Sequence, residues 1–520
     1  MQAEPALIAE GRQTDEPDVS AAEEHEEHLS GPEVRRRAIS GAATDAMRGF
    51  GIRVLAFFGA AVLARQLSPA DFGIVAVGQT FLTFGLFLSD GGIAAALIRR
   101  TTAPTRMDLK AFLWLQLSLT IVLVALCAVV MIPFGLIGEV TSVMLLSLPV
   151  SAFQVPSTIL LERRLNYRTL AVTDLFSTVA YYVWAITTVS LGWGVWGLAS
   201  AGVVRGVAGT IFLLVVFPPG RMIPWPSLAR VRPLLGFGFR YQASNLLALL
   251  RDQAINLTVA LVGGVSDLGL YNMAYRIYQV PLLLFNSLWR VSFPGMSRLV
   301  AAREDMRATV ERVLGVVAVA AGVLLAPLAA SARDLVPALL GEQWAGAAPV
   351  IPPVCLTIMV AAPVSVALVG YLWAIGDAGA VLRSTWLQIP FLLAVLVPLL
   401  PVIGVAAVGY GTLAAGAVES VVLIRAARKH LEFTIMPRLG PPTACAIVAA
   451  LVGGLCSWSM SAPHFLAALT GAVVAAAVYL GLLAIWHRSY LTDAIALGSR
   501  GLRGAPRPGK TGSTEGSLSA

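Results

Sequence analysis

The stretch STWLQIPFLLAVLVPLLPVIGVAAVGYGTLAAGAV, residues 384–418, runs for 35 residues without an Asp, Glu, Lys or Arg. About 20 apolar residues span the hydrocarbon core of a bilayer, so this run predicts two membrane-crossing helices joined by a tight turn near residues 402–404. A second run, residues 439–487, is 49 residues long and predicts another pair, with its turn near residues 461–464. Such runs exclude an ordinary cytosolic enzyme. They also lack the alternation of apolar and polar residues that marks a transmembrane β-barrel.

The whole chain has the composition of a polytopic membrane protein. Of its 520 residues, 57% are hydrophobic and 13% are charged, which is about half the charged fraction of soluble proteins. The mean hydropathy is +0.78. We therefore predict an all-α membrane protein with fourteen transmembrane helices. The predicted spans are 44–64, 72–97, 111–134, 141–162, 170–191, 195–217, 235–262, 271–296, 311–331, 348–374, 380–401, 404–426, 440–460 and 464–486.

The lysine and arginine residues divide unevenly between the two sides of this arrangement. Of the 37 in total, 28 fall in segments on the side of the N-terminus, and two, Arg65 and Arg333, fall on the opposite side. Six more lie inside spans, and Arg12 lies in the N-terminal segment. Because cytoplasmic loops are enriched in Lys and Arg, both termini are predicted to be cytoplasmic. The net charge of +8 follows from this topology and does not indicate binding to nucleic acid.

Two similar pentapeptides divide the chain. GFGIR (residues 49–53) opens the first helix, and GFGFR (residues 236–240) opens the seventh. They predict a six-plus-six duplication with pseudo-two-fold symmetry, as in transporters that rock two halves around a central site. Residues 1–34 hold ten Asp and Glu and predict a disordered tail. The predicted units are this acidic tail (1–34), an N-lobe of helices 1–6 (35–220), a C-lobe of helices 7–12 (221–432), helices 13–14 (433–488) and a flexible cytoplasmic tail (489–520).

Several motifs in this frame resemble those of a known family. They are LARQLSPADFGIV (63–75), FLSDGG (87–92), LERRLNY (161–167) and FPGMSR (293–298). Over about residues 45–430 the chain resembles Wzx-type polysaccharide and O-antigen flippases of the multidrug/oligosaccharidyl-lipid/polysaccharide exporter superfamily. The likeness is strongest to the branch of colanic-acid and teichuronic-acid exporters.

The resemblance implies two six-helix lobes around a cationic central cavity. It implies a transporter rather than an enzyme, located in the bacterial inner membrane. Such a flippase moves undecaprenyl-diphosphate-linked oligosaccharides from the cytoplasmic to the outer leaflet by alternating access, for exopolysaccharide or lipopolysaccharide biosynthesis. The implied partners are the lipid-linked oligosaccharide, membrane lipid, and a polysaccharide polymerase with its export machinery.

Ionisable residues inside spans are the candidate functional residues, because a charge at the centre of a helix costs about 2.5–3.5 kcal/mol on insertion scales. Guanidinium groups bind phosphate oxygens in pairs, so buried arginines predict a site for the diphosphate. The candidates for this site are Arg53, Arg240, Arg251, Arg276 and Arg290. The candidates for ion coupling or structural ion pairs are Asp90, Asp174, Arg205, Asp252 and Glu419.

Helical geometry constrains the arginines. Arg240 and Arg251 are eleven residues apart, nearly three whole turns, and should share one face of helix 7. Arg240 and Arg290 lie near predicted cytoplasmic ends, where the alternative is that they snorkel to the interface. Arg53, Arg251 and Arg276 lie deepest and are expected to face the cavity. Arg251 and Asp252 are adjacent and point about 100° apart, so we do not expect them to pair.

Some polar residues have a structural alternative. Arg205 and Asp174 could pair across helices 5 and 6 without any role in transport. Asp71 and Asp90 are expected to cap or brace helix 2. Prolines inside spans, among them Pro156, are expected bend points because each removes a backbone donor.

Two short motifs resemble nucleotide-binding and metal-binding sequences, but the structural elements or the spacing that such sites need are missing. Residues 504–511, GAPRPGKT, match a phosphate-binding loop but lack the preceding strand and following helix. His25 and His28 have the wrong spacing for a zinc helix. We therefore expect no nucleotide, metal or other cofactor. Two alternatives stay open: a drug or cation antiporter of the same superfamily, and a non-transport membrane component of a polysaccharide assembly complex.

The predicted topology can be tested by cysteine labelling. In a cysteine-free background, a single cysteine at Val402 or Ala462 should react with an impermeant thiol reagent from outside the cell. A cysteine at Asn166 or Ala302 should stay unlabelled until the membrane is permeabilised. Swapped labelling at any two of these positions would refute the fourteen-helix topology.

Overall fold

The computed structural model describes residues 49, 51–100, 102–220, 222–302 and 304–486. Between residues 228 and 295 some side chains, including those of Arg240 and Arg290, lie outside this description. The predicted acidic tail (1–34), the C-terminal tail (489–520) and the GAPRPGKT string also lie outside the described residues. The described residues contain helices and no β-strand, as expected for an all-α membrane protein.

The first six helices form the N-lobe. Helix 2 begins with a capping box: the Ser68 amide donates to Asp71 Oδ2 at 3.0 Å, and the Asp71 amide donates to Ser68 Oγ at 3.3 Å. The box satisfies two backbone donors that a helix start otherwise leaves open, as expected for Asp71. The helices are α1 (Gly51–Ala64), α2 (Pro69–Asp90, continued by Ile93–Arg99), α3 (Arg106–Met131), α4 (Leu136–Leu145, Ser147–Ala152 and Val155–Arg163), α5 (Tyr167–Ser190) and α6 (Val195–Val216).

The next six helices form the C-lobe, and two more follow it. The C-lobe helices are α7 (Leu228–Thr258), α8 (Gly264–Ala301), α9 (Met306–Leu340), α10 (Ile351–Ala374, preceded by a 3-10 helix at Glu342–Val350), α11 (Ala378–Ile403) and α12 (Ala406–Ala427). The appended helices are α13 (Met436–Ser459) and α14 (His464–Trp486).

Every predicted span has a counterpart among these helices. By length and composition, 11 helical stretches of the described residues can cross a membrane, or 12 when the bent α4 is included. One of these stretches, Leu249–Leu282, contains the end of α7 and the start of α8, and α1 is a shorter apolar helix. The chain is therefore a multi-pass membrane protein with the two-bundle arrangement expected.

Helices α7 and α8 are nearly continuous along the chain, yet they fold back on each other. Asn272 Nδ2 donates to Asn256 Oδ1 at 3.3 Å, whereas a straight helix would separate two such residues by about 24 Å. A π-helical turn at Val259–Gly263 ends α7, and the reversal follows at Gly264, whose φ is 85°. This left-handed backbone conformation favours glycine.

Helix α4 is bent within the span predicted over residues 141–162. Its segments Leu136–Ala152 and Val155–Arg163 meet at an angle of 51°. Pro156 occupies the first turn of the second segment, where its missing N–H cannot bond to the segment before it. The bend therefore occurs next to one of the expected prolines, and it brings Gln154 towards the interior.

The two lobes meet where α2 crosses α8. A Cβ added to Gly73 would lie 1.7 Å from the Val265 carbonyl oxygen, and one added to Gly269 would lie 1.9 Å from the Pro69 carbonyl oxygen. Glycine at both positions thus lets the two backbones touch. Close backbone approach through small residues is a general way for membrane helices to associate without a hydrophobic driving force.

Helices α13 and α14 pack on the C-lobe through α9. The Tyr479 hydroxyl on α14 donates to the Val319 carbonyl oxygen at 3.2 Å. At the other end, His464 Nδ1 lies 2.8 Å from Asp334 Oδ1, and Ser457 also donates to Asp334. These contacts fix the appended helices to the C-lobe rather than to the N-lobe.

The close contact between α2 and α8 predicts that a methyl group added at Gly269 lowers the stability of the folded protein. Gly269→Ala should lower the thermal unfolding midpoint of the detergent-purified protein, because relieving the clash with Pro69 costs about 1–3 kcal/mol. Gly481→Ala is the matched control, since Gly481 lies on α14 with nothing within 4 Å of its added Cβ. Equal midpoints for the two variants would contradict the close backbone contact.

Candidate functional site

Helix α8 presents two chemically different faces to the interior. Tyr271, Tyr275 and Tyr278 are spaced four and three residues apart, so they share one face, and they line a cavity within the C-lobe. Arg276 lies off that face and lines spaces next to the N-lobe, and Gln279, at the edge of the tyrosine face, lines one of these spaces with it. The helix is therefore a wall between two kinds of cavity.

The first cavity, here called the arginine cavity, has a volume of about 490 Å³. Its charged lining residues are Arg205 of α6, Arg276 of α8 and Asp174 of α5. Gln154, at the bend of α4, also lines it and donates to Thr210 Oγ1 at 3.0 Å. The cavity thus collects polar groups from the N-lobe around one arginine from the C-lobe.

A smaller space of about 40 Å³ extends this arrangement to α1. Arg53 and Arg276 line it together with Gln279. Within the described part of the chain, no carboxylate forms a salt bridge with Arg53, Arg205 or Arg276. Three cations with one carboxylate, Asp174, among them make this region electropositive and attractive to anions.

The second cavity, here called the tyrosine cavity, has a volume of about 640 Å³ and is lined by the C-lobe alone. Its wall on α8 is the tyrosine face. Its neutral polar lining consists of Gln253, Asn256, Asn272, Thr357, Gln388 and Thr412. Its ionisable lining groups, apart from the tyrosines, are Arg251, Asp252 and Glu419.

Arg251 and Asp252 do pair, contrary to the expectation from their spacing. Arg251 Nη2 lies 2.7 Å from Asp252 Oδ1, and Arg251 Nε donates to the same oxygen at 2.8 Å. Adjacent Cβ atoms diverge on a helix, but the long arginine side chain curls back towards the carboxylate. Glu419 accepts a hydrogen bond from Ser365 Oγ at 3.0 Å. One arginine and two carboxylates leave this cavity with no surplus of positive charge.

The structure brings together only part of the predicted set. Arg53, Arg205, Arg276 and Asp174 gather around the arginine cavity and its extension, while Arg251, Asp252 and Glu419 lie in the tyrosine cavity. Arg205 and Asp174 line the same cavity without forming a salt bridge with each other. Asp90 lies at the end of α2, where its Oδ2 accepts from the Gly92 amide at 3.1 Å. The side chains of Arg240 and Arg290, and hence their predicted shared faces, lie outside the described residues.

A set of contacts between the lobes closes one end of the interior, and is here called the seal. The Ala64 carbonyl oxygen accepts from Trp344 Nε1 at 2.8 Å and from Gln343 Nε2 at 2.9 Å. Arg65 Nη2 donates to the Ala338 carbonyl oxygen at 2.9 Å, and the Phe72 ring packs edge-on against Trp344 at 5.2 Å. The motif at residues 63–75 therefore supplies the N-lobe half of the seal.

The neutral residues of the tyrosine cavity were not singled out as site residues from the sequence. The candidate residues were chosen because they are charged, and tyrosine, asparagine and glutamine side chains are neutral. A signal was present nonetheless, since tyrosines at positions 271, 275 and 278 recur at helical spacing and share one face of the helix. Gln388 gave no such signal, because it stands alone in a charge-free run.

Comparison with known proteins agrees with this architecture. A family model described as "Polysaccharide biosynthesis protein" matches residues 62–349, which is more than half of the chain. The lipopolysaccharide biosynthesis protein WzxC of Escherichia coli is 26% identical over 338 residues, covering 62% of this chain and 67% of WzxC. The succinoglycan biosynthesis transport protein ExoT of Rhizobium meliloti is 28% identical over 337 residues, covering 63% of this chain and 67% of ExoT.

Two solved structures share the fold. The lipid II flippase MurJ in an inward closed conformation has a TM-score of 0.63 at 13% identity, covering 86% of this chain and 99% of MurJ. An inward-facing multidrug resistance transporter of the MATE family has a TM-score of 0.55 at 15% identity, covering 72% of this chain and 94% of the transporter. The chain therefore shares its fold with these two transporters. By the match over residues 62–349, the chain belongs to the polysaccharide biosynthesis protein family.

Proposed function

We propose that the protein flips undecaprenyl-diphosphate-linked oligosaccharides across the plasma membrane for polysaccharide biosynthesis. The names of its relatives WzxC and ExoT place those proteins in lipopolysaccharide and succinoglycan biosynthesis. The single observation that carries the proposal is the arginine group, which consists of Arg53, Arg205 and Arg276. Its members lack carboxylate partners among the described residues and lie between the lobes.

The chemistry of the arginine group fits a diphosphate. A guanidinium has five donors in a planar fork that matches two phosphate oxygens at once. A diphosphate brings two negative charges to three arginines and Asp174, so binding neutralises most of the charge. The polyprenyl tail would stay in the bilayer while the headgroup enters between the lobes.

The proposed orientation puts both termini in the cytoplasm of a bacterial inner-membrane protein. The split of 28 Lys and Arg on one side against two on the other supports it. In this orientation the seal lies at the extracytoplasmic end, because Arg65 and residues 338–344 follow spans that exit on that side. The structure would then correspond to a state that is closed to the outside.

The charge distribution argues against export of cationic drugs. A cationic substrate requires unpaired carboxylates in the cavity. Here Asp252 pairs with Arg251, and Glu419 accepts a hydrogen bond from Ser365. Among the described residues, no carboxylate forms a salt bridge with the three arginines of the arginine group. The function we propose therefore involves no chemical change of the headgroup, and a polysaccharide polymerase would be the protein that receives it outside.

Removing a single guanidinium tests the diphosphate site. Arg276→Ala should abolish or strongly reduce polymer export while membrane abundance stays near wild type, since Arg276 is half-buried and no carboxylate of the described residues forms a salt bridge with it. Arg276→Lys should retain partial export, because it keeps the charge and loses the fork. The readouts are secreted polymer and membrane abundance of the tagged protein.

Arg383→Ala is the matched control for these variants. Arg383 is exposed at the start of α11, outside the described cavities, and donates to the Gly379 carbonyl oxygen of its own helix. It should export normally. Full export by an abundant Arg276→Ala protein would refute the diphosphate site.

If the seal holds the outward side closed, weakening it should favour the outward-open state. Arg65→Ala removes charge-assisted bonds worth about 1–2 kcal/mol, which should move a two-state equilibrium roughly five- to thirtyfold towards the outward-open state. A reporter cysteine at Gln79, which lines the arginine cavity, should then react faster with an impermeant reagent from outside.

Arg333→Ala is the control for the seal. Arg333 lies on the same side of the membrane but makes no hydrogen bond or salt bridge to any other described residue. It should leave the labelling rate unchanged. Equal rates in the Arg65→Ala and Arg333→Ala backgrounds would show that the seal does not control access.

A further inference from the structure

The tyrosine cavity is unsuited to the diphosphate. Its one arginine is held by Asp252 at 2.7 Å, and Glu419 adds a second carboxylate. A phosphate placed there would compete with Asp252 for the one arginine of the cavity. Yet its volume of about 640 Å³ is in the range of about 300–1,000 Å³ that small-molecule sites occupy. The cavity is therefore better suited to a ligand other than a phosphate.

Its lining matches a neutral ligand rich in hydroxyl groups. Each Asn or Gln side chain offers two donors and one acceptor, which suits hydroxyls that both donate and accept. Asn272 Nδ2 donates to Asn256 Oδ1 at 3.3 Å and to the Leu268 carbonyl oxygen at 2.9 Å, so the Asn272 side-chain oxygen is left to accept. Asn256 Nδ2 donates to Gln253 Oε1 at 3.0 Å and keeps its second amide hydrogen for a ligand. Gln388 lines the cavity, and its side chain makes no hydrogen bond within the described part of the chain.

Tyr275 adds an aromatic surface to these amides. Its side chain is 38% exposed, and its ring is held edge-on against Tyr278 at 5.3 Å. Its hydroxyl accepts from Gln279 Nε2 at 3.1 Å, so the ring is fixed in orientation. A fixed aromatic ring with one polar end can pack against the apolar C–H face of a sugar.

The aromatic surface of Tyr275 lies next to the arginine group along α8. Tyr275 is the immediate neighbour of Arg276 on α8, and the two side chains enter different cavities. Gln279 bridges the two sides, since it lines the extension around Arg53 and also bonds to Tyr275. A group attached directly to a diphosphate on Arg276 would thus lie within reach of the tyrosine cavity.

We propose that the tyrosine cavity is a sugar subsite, which binds the part of the oligosaccharide next to the diphosphate. Tyr275 supplies the stacking surface, and Asn256, Asn272 and Gln388 supply hydrogen bonds to sugar hydroxyls. The inference rests on the proposed flippase function and adds to it the residues that select the sugar. A site built to bond hydroxyls discriminates strongly, because its amides are left unpaired when the hydroxyl is missing.

The test compares a lipid with and without its sugars. The purified protein is bound to a fluorescent polyprenyl diphosphate, and two competitors displace it: undecaprenyl diphosphate, and the lipid-linked oligosaccharides extracted from the bacterium that carries this protein. Wild type should prefer the glycosylated competitor by about tenfold or more, equivalent to one or two good polar contacts. Tyr275→Ala and Gln388→Leu should each remove most of this preference while binding undecaprenyl diphosphate as wild type does.

Two further variants sharpen the comparison. Tyr275→Phe keeps the ring and should keep most of the preference. Tyr410→Ala is the matched control, because Tyr410 is an exposed tyrosine on α12 outside the described cavities, and it should behave as wild type.

The outcomes separate the two proposals. Loss of binding to both competitors in Arg276→Ala supports the diphosphate site, and unchanged binding of undecaprenyl diphosphate there refutes it. The sugar subsite is overturned if wild type binds both competitors equally well. It is also overturned if Tyr275→Ala and Gln388→Leu keep the full preference for the glycosylated lipid.

Discussion

The contact between the backbones of α2 and α8 is the constraint on which the rest of the structure depends. Gly73 and Gly269 remove the Cβ atoms that would otherwise hold these helices apart. Their approach brings Phe72 onto Trp344, and with it the seal that joins the lobes. It also sets the rotation of α8 about its own axis. Because the face with Gly269 must point towards α2, the directions of the other side chains on α8 are determined as well.

The rotation of α8 places its tyrosines in the tyrosine cavity and Arg276 in the arginine cavity. One face of α8 supplies tyrosines to the cavity that holds the Arg251–Asp252 pair. The next face supplies Arg276 to a region whose arginines form no salt bridge with any carboxylate among the described residues. Unpaired guanidinium groups within a membrane protein cost free energy, and they persist where a ligand offsets that cost. The paired Arg251 carries no such implication, since Asp252 already neutralises it. Position inside a span alone is thus a weaker indicator of function than position together with a missing partner.

The sequence was sufficient for features that depend on local chemistry. Charge-free runs defined many of the spans, and the expectation that Asp71 caps or braces helix 2 agrees with its capping box with Ser68. It was insufficient where distant residues meet or where a side chain bends. Pro156 marked an expected bend in α4, but the angle of 51° between its segments could not be obtained from the sequence. The Arg251–Asp252 pair depends on a flexible side chain, which the spacing of residues along a helix does not describe. The contact of Gly73 with Val265 joins residues far apart in sequence, so no local pattern predicts it.

The distribution of the arginine group over the lobes has a consequence for transport. Arg53 and Arg205 belong to N-lobe helices, whereas Arg276 belongs to α8 of the C-lobe. An anion bridging them binds more tightly when the lobes hold all three together than when the lobes part. A ligand shifts a conformational equilibrium only by its difference in affinity between two states. A bridging diphosphate would therefore favour the lobe arrangement that assembles the site, and parting of the lobes around α8 would weaken its hold and release it.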